Sequence, residues 1–171
     1  MPTDLKIGII GGSGMEDPTF ISDYSKEVVS TPYGDPSSEL IVGKIANVSV
    51  VILSRHGLVH SINPTNVNYR ANIWSLKEKG CTHILATTAC GSLREQIEPG
   101  HFVFPDQFID RTTKRISTYF DGSEVQHISM GNPFSAKLQN CLALACDQLG
   151  FAYHDSGTVV TIEGPRFSTK A

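Results

Sequence analysis

Short apolar runs, each closed by glycine, proline or a small polar residue, recur along the chain, and their order predicts a sheet-centred α/β domain. Leu5 to Ile10 is a β-branched run that reads as a strand. Glu39 to Ile45 and Val48 to Ser54 read as two paired strands around a turn at Ala46-Asn47. Thr82 to Thr88 is a buried-strand candidate, since Ile84, Leu85 and Ala86 sit together between Gly80 and the Gly91-Ser92 turn. Phe102 to Phe104, bounded by Pro99 and Pro105, is a weaker strand, and Val159 to Ile162 is the last one. From Asn66 to Lys79, Val67, the stem of Arg70, and Trp74 recur at helical spacing with Gly80 placed as the stop. Phe134, Leu138, Cys141, Leu142, Ala145 and Leu149 fall on one stripe of a second helix that Gly150 ends. Thr112 to Gln126 has no period and reads as a mobile surface loop anchored by Tyr119 and Phe120. With no repeat and no linker, residues 1–171 read as one domain.

Composition narrows the partners. The chain has 171 residues, 40% hydrophobic and 18% charged, which suits a folded core. Fourteen Lys and Arg against seventeen Asp and Glu leave a net charge of -3, so the bulk field draws in neither nucleic acid nor an anionic membrane. Any anion site must therefore be local. No basic, apolar leader opens the sequence and no apolar run is long enough for a bilayer, so a soluble intracellular protein is expected. Cys81, Cys90, Cys141 and Cys146 lack paired or zinc-binding spacing and read as reduced, mostly buried thiols. Asn47-Val48-Ser49 matches a glycosylation pattern by chance alone in an unsecreted chain.

Candidate chemistry clusters at strand ends. Gly11-Gly12-Ser13-Gly14 follows the first strand, where small residues let backbone N–H groups converge on an anion and Ser13 adds a hydroxyl; a plain tight turn fits equally well. The spacing lacks the third glycine of the dinucleotide fingerprint and the Lys-Ser/Thr pair of a P-loop, which disfavours an NAD-dependent enzyme. Arg55-His56-Gly57, with His60 beyond, follows the strand ending at Ser54; a guanidinium fork suits two phosphate oxygens and a histidine can donate one more bond. Solvated loop side chains are the plainer alternative. Thr87 to Ser92 and Glu163 to Ser168 follow two more strands, the second adding an aromatic face and a hydroxyl. Four such loops on one rim would hold a phosphate beside a flat ring.

Gly8 to Gly14, Arg55-His56-Gly57, Asn68 to Trp74, Thr87 to Glu95, Asp106 to Thr112 and Glu163 to Ser168 together, and in this order, resemble the methylthioadenosine phosphorylase family. The related purine nucleoside phosphorylases share the outline but usually carry glycine where Ser92 stands and glutamate where Ser168 stands. The resemblance implies a nucleoside-phosphorylase-like central mixed sheet flanked by helices, cut before its C-terminal strands and helices.

It also implies a pentosyl transfer in purine and methionine salvage, in which phosphate converts 5′-methylthioadenosine to adenine and 5-methylthioribose 1-phosphate without cofactor or metal. By the same resemblance Ser13, Arg55, His56, Thr88 and Ala89 contact phosphate, His60, Cys90, Gly91, His127 and Phe167 contact the nucleoside, and Ser168 selects adenine. His127 is the residue that a neighbouring subunit lends, so a homotrimer is implied, with no nucleic acid or membrane partner and a cytoplasmic and nuclear location. The family's purine-binding aspartate comes from a later strand. Asp110 and Asp155 match no such motif and read as turn or surface carboxylates, so the 171-residue chain alone is expected to be inactive. A non-catalytic phosphate-binding fragment and a general purine nucleoside phosphorylase are the alternatives.

Overall fold

The computed structural model describes residues 5–12 and 18–169. It divides the chain into two compact units, one of Met1–Ala89, Lys114–Tyr119 and Gly164–Phe167, the other of Cys90–Thr113, Phe120–Glu163 and Ser168–Ala171.

The first unit is built on a five-stranded mixed sheet. Its strands are β1 (Lys6–Gly11), β2 (Ser22–Glu27), β3 (Leu40–Ile45), β4 (Val48–Ser54) and, after helix α1 (Tyr69–Glu78), β5 (His83–Ala86). Their order is β2-β3-β4-β1-β5. β1 lies parallel to both neighbours, Ile7 opposite Val50 on β4 and His83 on β5, while β2, β3 and β4 form an antiparallel meander. The expected hairpin turn is present, and it holds Ala46 in the left-handed region at φ 51°.

Side-chain alternation along β4 explains why this strand is central. Val51 and Leu53 pack on one face with Leu40, Ile10 and Leu76, whereas Val50 and Ile52 pack on the other with Ile21 and Ile41. Both faces are therefore covered, as a parallel core requires. Leu76 is how α1 joins the first of these clusters.

α1 is shorter than the predicted 66–79 and turns a different side inward. Its buried residues are Ala71, Asn72, Ser75 and Leu76; of the predicted face, Val67 is buried just ahead of the helix, whereas Arg70 and Trp74 are only half-buried. Small side chains let the helix approach the sheet, and Asn72 is tolerated because its Oδ1 accepts from Ser37 N–H (2.8 Å) and its Nδ2 donates to Ser37 Oγ (3.0 Å). Asn68 caps the helix by accepting from the Ala71 N–H. Gly80, at φ 78°, ends it in a Schellman pattern, with Gly80 N–H bonded to Lys77 O and Cys81 N–H to Leu76 O.

The second unit contains β6 (Phe102–Val103), β7 (Gln107–Arg111), α2 (Ala136–Leu149), β8 (Tyr153–His154) and β9 (Thr158–Ile162). β6 pairs with β8 and β7 with β9, both parallel. Ser135 caps α2 at its start and Gly150, at φ 71°, at its end. Only Cys146 of α2 is buried; Phe134 and Leu149 of the predicted stripe are 40% and 69% exposed. Three strands escaped the sequence pattern: β2 and β7, whose residues are almost all exposed, and the two-residue β8.

All four cysteines are free, but the expected burial holds for Cys146 alone: Cys81 is half-buried, while Cys90 in the loop after β5 and Cys141 on α2 are exposed. Among the described residues no helix is long and apolar enough to cross a membrane.

Candidate phosphate site

Parallel pairing sets the C-terminal ends of β4, β1 and β5 side by side, and three of the predicted loops leave from that rim. Arg55, the first residue after β4, ties them together. Its backbone N–H bonds to Gly11 O at the end of β1 (3.0 Å), and its Nη1 donates to Thr87 O just past β5 (3.0 Å). Gly12 leaves room for this side chain, since a Cβ there would lie 3.3 Å from Arg55 Nη2. Thr87 N–H in turn bonds to Ile10 O, so the β5 loop is fixed to β1 by its backbone.

His56 is held by its other neighbour. Its Nδ1 lies 2.8 Å from Ile62 O, and a carbonyl can only accept, so Nδ1 carries the proton. Nε2 then accepts from Arg55 Nε (3.4 Å). In that tautomer His56 orients the guanidinium; only the doubly protonated ring has an Nε2–H to give an anion. The turn is tight because Gly57 (φ 76°) and His60 (φ 53°) both adopt left-handed conformations, and the two histidine rings stand 4.7 Å apart.

The first unit thus brings Arg55, His56 and His60 onto one turn, with Thr88 and Ala89 following Thr87, to which Arg55 is bonded. Thr88 and Ala89 are exposed, and Thr88 Oγ1 makes one long bond to Ala89 O (3.4 Å). Ser13 lies outside the described residues. Phe167 belongs to the same unit and is 98% exposed. Its segment is tied down at Gly164, whose carbonyl accepts from Thr65 Oγ1 (2.8 Å). Cys90, Gly91, His127 and Ser168 belong to the second unit, and each is exposed there. Asp110 lies on β7 and caps Thr112 N–H (2.8 Å), a structural use of the carboxylate.

Sequence reading missed the partners that organise the rim, the carbonyls of Ile62, Gly11 and Thr87. Backbone acceptors carry no residue-type signal. It also missed that residues 114–119 of the predicted loop pack into the first unit, where Arg115 Nη1 bonds to Tyr69 Oη (3.0 Å) and Tyr119 Oη donates to Arg70 O (2.9 Å). Tyr119, read as an anchor, is one.

Comparison with known proteins gives a consistent picture. A family model described as the phosphorylase superfamily matches residues 6–171. S-methyl-5′-thioadenosine phosphorylase of Danio rerio is 58% identical over 172 residues, covering 98% of this chain and 61% of that protein. Its counterpart in Xenopus tropicalis is 57% identical, with 98% and 62% covered. The chain therefore spans about three fifths of the length of these relatives. Among solved structures, the apo form of methylthioadenosine phosphorylase from Schistosoma mansoni superposes with a TM-score of 0.92 at 41% identity, covering 98% of this chain and 67% of that one. The tubercidin complex of the same enzyme gives 0.91 at 43% identity, with 97% and 66% covered.

Proposed function

The chain belongs to the phosphorylase superfamily, and from that premise we propose that it carries the phosphate-binding part of a site that splits 5′-methylthioadenosine with inorganic phosphate. The observation that supports this reading most directly is the Arg55 guanidinium lodged between the ends of β1, β4 and β5. A planar cation fixed at such a rim is suited to grip phosphate oxygens.

In the proposed reaction a phosphate oxygen attacks the anomeric carbon as the bond to the purine N9 breaks. The bonding pair leaves with adenine, which takes up a proton at N7, and 5-methylthioribose 1-phosphate forms. Positive charge builds on the sugar in the transition state, so an anion held beneath the ring both stabilises that charge and is placed to attack. Arg55 positions the phosphate, His56 orients Arg55, and Ser13, Thr88 and the Ala89 backbone complete the cradle. His60, Cys90, Gly91, Phe167 and, from a neighbouring copy in a homotrimer, His127 take the nucleoside; Ser168 favours adenine over 6-oxopurines. The transfer changes no oxidation state, and phosphate is its only co-substrate. Cytoplasm and nucleus are the proposed location.

The test is to incubate the purified full chain with methylthioadenosine, with and without phosphate, and to follow adenine by chromatography and the sugar phosphate by 31P NMR. Saturable phosphate binding without adenine release is expected of the 171-residue chain alone, in keeping with the inactivity that the resemblance implies. Release of adenine without phosphate, or no measurable phosphate binding, refutes the reading. Phosphate-dependent release of both products in equal amounts would overturn the expected inactivity and replace the phosphate-binding part with a complete site.

A further inference from the structure

A second cationic site lies within the first unit, where a cavity of about 300 Å³ opens at the N-terminus of α1. Its wall includes Tyr33, Asn68, Tyr69, Arg70, Lys114 and Arg115, and none of its lining residues is acidic. Three cations therefore gather on one cavity of a chain whose net charge is -3. The two guanidiniums are held in place. Arg70 lies over the Tyr33 ring at 4.8 Å and donates from Nη1 to Thr118 O (3.5 Å); Arg115 lies over Tyr69 at 5.5 Å and donates to its hydroxyl (3.0 Å). The positive end of the ten-residue α1 adds to the same field.

We propose that this cavity binds a sugar phosphate, with the phosphate dianion between Arg70, Lys114 and Arg115 and the sugar hydroxyls against the polar side chains at the start of α1. Charge selects a phosphate monoester over a neutral ligand, since charge-assisted bonds to guanidinium and ammonium groups are about twice as strong as neutral ones. Volume sets the size: the cavity is larger than orthophosphate needs and sits at the lower end of the roughly 300–1,000 Å³ of small-molecule pockets. Chemistry of the rings favours a sugar over a purine or pyrimidine, because Tyr33 and Tyr69 already carry guanidiniums on their faces and offer no stacking platform. Arg115 and Lys114 come from the 114–119 segment and Arg70 from α1, so the ligand would bridge the two. The site shares no residue with the Arg55 rim and does not depend on the reading of that rim.

Trp74, the only tryptophan of the chain, reports on the cavity, because its ring meets Tyr33 edge-on at 5.4 Å. Ribose 5-phosphate is titrated into full-length Arg55→Ala protein, which lacks the cation of the rim, and Trp74 fluorescence is followed. A saturable change with a dissociation constant of about 1 mM or tighter is expected. Lys114→Gln, an exposed position, should weaken it about tenfold, and Arg70→Gln by at least as much. Absence of a saturable change overturns the proposal, as does a titration unaffected by Lys114→Gln in a variant that keeps its circular dichroism. Ribose giving the same change overturns the anionic assignment, and inorganic phosphate binding as tightly as ribose 5-phosphate overturns the sugar-phosphate assignment.

Discussion

Replacing Arg55 with alanine removes a side chain that reaches from the end of β4 to the β5 loop, and its effects on stability and on phosphate are separable. For the free protein, the loss is the Nη1 bond to Thr87 O and the Nε contact with His56. Arg55 is half-buried and the threonine carbonyl can turn to water, so the cost is about 0.5–1.5 kcal/mol, and the variant should fold. For a bound phosphate, the loss is a charge-assisted contact worth about 1.5–3 kcal/mol. Partial exposure of the site points to the lower half of that range, or about a ten- to fortyfold weaker dissociation constant. Isothermal titration with inorganic phosphate reads this directly, with chemical denaturation on the same preparation as the control for folding. Arg55→Lys should fall between the two, because an ammonium is a point charge and lacks the fork that contacts Thr87 and His56 together. His56→Ala should cost less than Arg55→Ala, since the ring's Nε2 contacts Arg55 Nε and so acts through the guanidinium. In a preparation that turns over methylthioadenosine, the KM for phosphate should rise by a similar factor while that for the nucleoside changes little. A folded Arg55→Ala protein with wild-type phosphate affinity would refute the whole construction of the rim.

Three further outcomes follow from packing and protonation. Gly43→Ala should destabilise the protein by about 1–3 kcal/mol in urea denaturation, because the new Cβ would stand 2.5 Å from Ile21 Cγ2 and 2.9 Å from the Ser22 backbone oxygen; unaltered stability would mean the β2–β3 edge is placed differently. Asn68→Ala should cost about 2 kcal/mol in the same assay, since the side chain caps Ala71 N–H and its Nδ2 donates to Tyr33 O (2.8 Å) and Asp35 O (3.2 Å), and a loss within error would discount both roles. Burial raises the Cys81 thiol pKa, with Lys6 opposing the shift, so the folded protein holds that proton more tightly than the unfolded chain. Stability from this thiol is intact below the ordinary thiol range and should fall as pH rises through about 8.5 and above, a decline that Cys81→Ala should remove from the pH–stability curve.

The strands legible in the sequence are those whose side chains are sorted by burial. β3 and β4 were expected within a residue of their observed bounds because Val50 to Leu53 are apolar throughout, as a strand covered on both faces must be. β2 was invisible for the opposite reason. Ser22–Glu27 is an edge strand that contributes backbone bonds to β3 and almost no buried side chain, with Asp23 at φ 50° near a register shift between Ser22 and Ser25. Helix α1 is legible in the sequence but its inner face is not, since helical spacing favours Arg70 and Trp74 alongside Val67, and of these three only Val67, ahead of the helix, is buried. Packing chose Ala71 and Ser75 for closeness and accepted Asn72 because Ser37, 35 residues away, satisfies it. Trp74 instead meets Tyr33 and Tyr119.

The rim shows why strand ends could be read as chemistry while their meeting could not. Glycine, arginine and threonine after apolar runs mark three loops as candidates for an anion site, but each loop's sequence is silent about its neighbours. What joins Gly12, Arg55 and Thr87 is that β1 runs parallel to both β4 and β5, with Gly11 opposite Ser54 and Ile10 opposite Ala86. Had either neighbour paired antiparallel, its loop would have left from the far edge of the sheet, one strand length away, and Arg55 could not have reached both Gly11 and Thr87. The register also fixes height. With Ile10 level with Leu53 and Ala86, the residues just beyond all three strands emerge together, so the backbone N–H of Arg55 and its guanidinium find acceptors on β1 and after β5. A one-residue slip would turn Ile10 and Leu53 away from the cluster they share with Leu76 and Val51. The apolar core that sets the register therefore also sets the spacing of the groups proposed to bind the anion.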